Sequence, residues 1–136
     1  MTLDLLRKKL RSTKARDLFT KLYGHDPQVV ERQITRYIRA AERFCELFPR
    51  LNSEDFFVFS APGRTEIGGN HTDHNAGRVL AAGVSLDAIA VVTRSSDNVI
   101  TVYSEGYPGP FIVKLEDLYP KREEEGTTTA IIRGIA

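Results

Sequence analysis

From Val30 onward, apolar residues return at every third or fourth position: Val30, Ile34, Tyr37, Ile38, Ala41, Phe44, Cys45 and Phe48. This spacing gathers them on one face of a helix of about five or six turns. Asp26 followed by Pro27 reads as an N-cap with proline at the first helical position, and Pro49 stops the run. Upstream, Leu3, Leu6, Leu10, Leu18, Phe19 and Leu22 form a second apolar side. Ser12 or Thr13 can cap a helix reaching Tyr23, which Gly24 ends in a left-handed conformation. Beyond Pro49 the period changes. Residues 56–60 read as a buried strand, residues 79–82 as extended chain, and residues 86–93 and 99–103 as strands joined by hairpin-type turn chemistry at 94–98. Residues 111–115 add another strand, and residues 121–125 form a charged, solvated connection. Near the end, residues 127–129 can cap a helix whose apolar face is Ala130, Ile131, Ile132 and Ile135.

Helices come first along the chain and strands second, with the break near Pro49. With 136 residues, 41% of them apolar, it is expected to form one domain with a modest core: 1–50 helical, 51–118 mainly β, and 127–136 the start of a helix. That last helix stops at Ala136 with neither cap nor closing turn, which predicts a truncated domain and self-association through the apolar surface so exposed. Residues 1–50 carry 12 basic and 6 acidic side chains, whereas residues 51–136 carry 7 and 12, so the two parts attract. The basic run Arg7, Lys8, Lys9, Arg11, Lys14 and Arg16 is assigned to a solvated helix face. No aromatic residue is interleaved with it to stack bases, and no nucleic-acid partner is expected. The longest apolar stretches are far short of the about 20 residues a bilayer requires, so no membrane partner is expected. A single cysteine, Cys45, rules out an internal disulfide framework, fits a reducing cytoplasm and reads as core.

One stretch is different in kind. Residues 61–77, APGRTEIGGNHTDHNAG, combine four glycines with Arg64, Glu66, Asn70, His71 and Asp73. Glycines allow sharp turns and close backbone approach, and the polar groups can all hydrogen-bond a small polar molecule. Asp73 can accept from two neighbouring hydroxyls, a mark of sugars, while Arg64 offers a rigid fork of donors. His71, Asp73 and His74 are legitimate zinc or iron ligands, but their spacing on an irregular loop does not force convergence, so no metal is assigned. Gly63, Gly68 and Gly69 match neither common phosphate-loop pattern. A glycine-rich connection that merely satisfies its own backbone is the bland alternative.

The stretch resembles the galactokinase signature G-R-V-N-L-I-G-E-H-T-D-Y-N-x-G at Gly63, Arg64, Gly69, His71, Thr72, Asp73, Asn75 and Gly77, without a gap. The flanks agree: a Tyr23-Gly24 then Pro27 pattern before it, Arg78-Val79-Leu80 after it, and an Ile-Arg-Gly helix near the end. The resemblance implies an α+β fold, N-terminal helices packed on a mixed or antiparallel sheet, as part of the N-terminal domain of a GHMP sugar kinase, which uses MgATP to phosphorylate the C1 hydroxyl of galactose. Arg64 would then lie beside the reacting hydroxyl and phosphoryl group, and Glu66, Asn70, His71 and Asp73 would contact the sugar. Relative to the pattern, Glu66 and Asn70 exchange the family's asparagine and glutamate, which leaves a different hexose open as substrate. The family's Gly-Leu-Ser-Ser-Ser-Ala nucleotide motif does not occur in this sequence. The chain alone is therefore expected to take no cofactor, to bind without turnover, and to serve as the sugar-recognition part of a longer enzyme. The alternative is a stand-alone sugar-binding or sensing module.

Overall fold

The computed structural model describes residues 1–49, 56–69 and 72–136. Its architecture is α+β with antiparallel pairing throughout, in two compact units, Met1–Thr93 and Arg94–Ala136.

In the first unit three helices precede a long hairpin: α1 (Leu3–Leu10), α2 (Thr13–Tyr23), α3 (Pro27–Leu47), β1 (Phe57–Gly68) and β2 (Leu80–Val92). Each helix begins at a side-chain cap. Thr2 accepts from Leu5 N, Ser12 from Ala15 N and Asp26 from Gln28 N at 2.8 Å. Gly24 closes α2 at φ +98°, a conformation costly for any residue with a Cβ. The predicted stripe of α3 forms the core: Val30, Ile34, Tyr37, Ala41 and Phe44 are buried with Leu6, Leu10, Phe19 and Phe56. Ile38, Cys45 and Phe48 flank them half-buried, and burial pushes the Cys45 thiol up despite the charge of Arg7. Leu18 and Leu22, expected on the core side, are exposed, because α2 turns Phe19 and Tyr23 toward the core, the Phe19 ring edge-on to Tyr37 at 5.1 Å. The basic helix faces are paired as well as solvated: Arg7 meets Glu42 at 2.6 Å and Arg16 meets Glu31 at 2.7 Å.

The hairpin departs most from the sequence reading. Residues 61–68, expected in a loop, continue β1, and the segments expected separately at 79–82 and 86–93 are joined in one strand, Leu80–Val92. Ladder pairing with β2 satisfies the glycine-rich backbone in extended form. The ladder runs from Phe57↔Val92 to Gly68↔Leu80. Between Pro62↔Asp87 and Arg64↔Gly83, β2 spends two extra residues in a bulge that absorbs the break in its apolar pattern. Val58, Ile89 and Val91 pack on the helical core. Phe57, Phe59 and Val92, on the other face, are exposed.

In the second unit β3 (Val99–Val102) pairs with β4 (Phe111–Lys114), and a 3₁₀ turn at Arg122–Glu124 leads to α4 (Thr128–Ile135), capped by Thr127. The hairpin expected at 94–98 does not form, since β2 pairs with β1 and β3 with β4. Its turn chemistry survives locally: Asn98 sits at φ +54° and the Asp97 carboxylate accepts from Ser95 Oγ and Val99 N. Ile131 and Ile135, expected on the packed face of α4, are exposed. Arg133 is the buried residue instead, because Glu124 grips its guanidinium with both oxygens at 2.6 and 2.7 Å and Asp117 O accepts from Nη1. Among the described residues, no helix is long and apolar enough to cross a membrane.

Candidate functional site

The β1–β2 hairpin delivers the polar stretch to its open end. Ser60, Pro62, Arg64 and Glu66 alternate onto one face of β1, with successive Cα atoms on that face about 7 Å apart. Arg64 and Glu66 are exposed, and the Arg64 guanidinium has no ion pair or hydrogen bond among the described residues. Its fork of donors is therefore available to a ligand.

The connection between the strands is closed by its own backbone. Thr72 N donates to Gly69 O at 3.2 Å, and Thr72 O accepts from both Asn75 N at 3.0 Å and Gly77 N at 2.7 Å. Gly69 stands at φ +113°, and a Cβ there would come within 2.6 Å of Arg78 O and 2.7 Å of Val79 Cα. A Cβ at Gly77 would overlap the Thr72 side chain. Two of the stretch's four glycines thus answer to close backbone approach. Asp73 opens the 3₁₀ turn Asp73–Asn75, in which His74 Nε2 lies 3.2 Å from Asn75 Nδ2. Asn70 and His71 lie outside the described residues, and of Asp73 only its place in the turn is described. Two of the five sequence-predicted site residues, Arg64 and Glu66, therefore share a described face.

Next to the Arg64 end of β1 is a cluster the sequence reading did not single out. Asp87, its side chain 3% exposed, stands on β2 opposite Pro62. Its Oδ1 accepts from Arg36 Nη1 at 2.5 Å. Its Oδ2 accepts from Ser60 Oγ at 2.5 Å, Tyr23 OH at 2.8 Å and Tyr37 OH at 3.2 Å. Arg36 Nη2 also donates to Asp87 O at 2.6 Å, a carbonyl to which the cross-strand partner Pro62 has no N–H to give. Burial by itself raises the Asp87 pKa, but the hydrogen bonds from Ser60, Arg36 and Tyr23 and the Arg36 charge outweigh it, lowering it to about 2. Burial first, then the bonds to Tyr37 and Asp87, pushes the Tyr23 phenol up. An open cleft of about 280 Å³ adjoins the cluster, lined by Leu22, Tyr23, Pro62, Val84 and Ser85 beside Asp87. The available signal was a lone carboxylate inside the apolar run 86–93, with Arg36-Tyr37 at the edge of the α3 stripe. Among the described residues, no three His, Cys, Asp or Glu side chains converge as a metal site.

Comparison with known proteins places this hairpin in a family context. Residues 42–94 match the family model described as the galactokinase galactose-binding signature. The chain is similar to the galactokinase of Lacticaseibacillus casei strain BL23, 34% identical over 95 residues, which is 68% of this chain and 23% of that protein. It is similar to the galactokinase of Streptomyces coelicolor, 33% identical over 87 residues, 63% of this chain and 22% of the relative. It is also similar to that of Lactococcus lactis subsp. cremoris, 29% identical over 75 residues, 55% and 18% respectively. The chain thus spans less than a quarter of the length of these relatives. No solved structure matches it.

Proposed function

We propose that this chain, which carries the galactokinase galactose-binding signature and resembles a galactokinase N-terminal segment, holds galactose or a closely related hexose at the open end of its β1–β2 hairpin. The observation that carries the reading is the match over residues 42–94, which encloses the whole hairpin. The exposed guanidinium of Arg64, unpaired among the described residues, and the backbone bonds joining Gly69, Thr72, Asn75 and Gly77 support it. In the reaction of a complete galactokinase, MgATP supplies the phosphoryl group for the C1 hydroxyl. Arg64 then stands beside the reacting hydroxyl and offsets charge on the transferring group. Glu66, Asn70, His71 and Asp73 hydrogen-bond the sugar hydroxyls and reject epimers that leave a buried polar group unpaired.

The sequence lacks the family's nucleotide motif, so no residue of this chain is assigned to MgATP. On its own the chain binds without turnover, and weakly, since each absent hydroxyl partner removes about 1 kcal/mol. A reducing cytoplasm suits the single thiol of Cys45, and the exposed Phe57, Phe59 and Val92 favour self-association at high concentration.

Calorimetric titration of the 136-residue chain with D-galactose, glucose and N-acetylgalactosamine tests the reading. Galactose-selective heat that Asp73→Ala abolishes is the expected result, and silence with every sugar would overturn sugar holding by this piece. Asn70→Glu, which restores a carboxylate where the family pattern has one, is expected to change the preference between galactose and its epimers. Unchanged selectivity would remove Asn70 from the site.

A further inference from the structure

We propose that Asp87 is a positioning residue for Arg64: with Arg36, Tyr23, Tyr37 and Ser60 it fixes the base of the hairpin arm whose open end carries the sugar-facing groups. The inference rests on the sugar-holding reading above and goes beyond it, because the galactokinase pattern at residues 63–77 does not include this cluster.

Three observations carry it. The first is place. Pro62↔Asp87 is the last ladder pair before the bulge and Arg64↔Gly83 the first after it, so the cluster grips β2 immediately before the step that re-aims the arm. The second is the grip itself. Asp87 receives donors from α2, α3 and β1 together, and Arg36 holds its side chain and its main-chain carbonyl at once, at 2.5 and 2.6 Å. A side chain fixed by one bond can rotate, whereas one held from three elements transmits their position to the backbone. The third is engagement. Oδ1 faces the guanidinium and Oδ2 faces three hydroxyls, so both carboxylate oxygens are held by protein groups beside the adjoining cleft. Its work is on the backbone that carries Arg64, two residues beyond Pro62, and small displacements of a binding group are costly to recognition.

The test compares the wild-type 136-residue chain with Asp87→Asn, which keeps the shape and removes the charge, and with Tyr37→Phe, which keeps the ring against Phe19 and removes one donor. Each is studied under conditions where circular dichroism shows it fully folded. Backbone amide spectra and galactose titrations are the two readouts. For Asp87→Asn, the amides of Arg64, Glu66, Gly69 and Gly77 are expected to shift, although none touches residue 87. Galactose affinity is expected to fall about tenfold with stoichiometry unchanged. Tyr37→Phe is expected to move the same amides less, and it carries the test if Asp87→Asn does not fold. A purely structural role would lower the melting temperature while leaving the affinity of the folded protein and the arm amides as they were, and that result overturns the proposal. If the wild-type chain itself binds no galactose, the sugar-holding reading fails, and the arm amides alone decide whether the cluster positions Arg64.

Discussion

Acid should weaken the Met1–Thr93 unit largely through Asp87. Its carboxyl has an ordinary pKa of 3.8 and is held at about 2 in the fold. Because the folded value is the lower one, the stabilisation is fully present above the unfolded pKa and disappears as pH falls through the folded one. A difference of just under two units at about 1.4 kcal/mol per unit gives about 2 kcal/mol. That amount is lost between roughly pH 5 and pH 1. The neighbours facing this carboxylate do not titrate in that window, since Arg36 and Tyr23 are both pushed upward. Urea unfolding of the wild type and of Asp87→Asn, followed by circular dichroism at roughly pH 6 and pH 2, isolates the effect. Asp97, Asp117 and Glu124, also held below their usual range, are common to both proteins and cancel in the difference. The stability gap between wild type and variant should shrink by about 2 kcal/mol on acidification. A gap that stays constant across pH would refute the reasoning, because it would mean that Asp87 is no more acidic folded than unfolded.

Two further predictions follow from packing. Ile34, 1% exposed on α3, should cost about 3 kcal/mol of unfolding free energy as Ile34→Ala, whereas Leu18→Ala on the exposed face of α2 should stay within about 0.5 kcal/mol. Equal losses in chemical denaturation would contradict the assigned core. Gly77→Ala, whose new methyl meets Thr72, should break the Gly77 N to Thr72 O bond, costing about 1–3 kcal/mol. Hydrogen exchange at Asn75 and residue 77 should then accelerate, and unchanged protection would show that the connection accommodates a Cβ.

Local chemistry was legible and strand partnership was not. The caps at Ser12, Asp26 and Thr127 and the buried stripe of α3 follow from spacing and short-range hydrogen bonding, and the structure has them where the sequence puts them. Pairing is a long-range property, and that is where the reading slipped. Residues 61–68 look like a loop by composition and become strand because β2 lies alongside, while the turn at 94–98 has hairpin chemistry but joins strands of different pairs. Burial of α4 was missed for a related reason. Periodicity points to Ile131 and Ile135, but the bidentate grip of Glu124 favours burying Arg133. Of the site, Arg64 and Glu66 were recognisable from the polar stretch itself. The Asp87 cluster draws on residues 23, 36, 37, 60 and 87, which no sequence window brings together.

The ion pairs of the first unit fall into two tiers with respect to dissolved salt. Arg7 with Glu42 and Arg16 with Glu31 leave both partners between about a third and over half exposed, so counterions at physiological strength, with a Debye length of about 8 Å, screen them readily. Asp87 is almost wholly enclosed, and although Arg36 is 38% exposed, those ions screen their attraction less. Brine would therefore loosen the seams between the helices before it reached the joint between helices and hairpin, and the arm bearing Arg64 would keep its aim in a molecule whose outer electrostatics had been switched off.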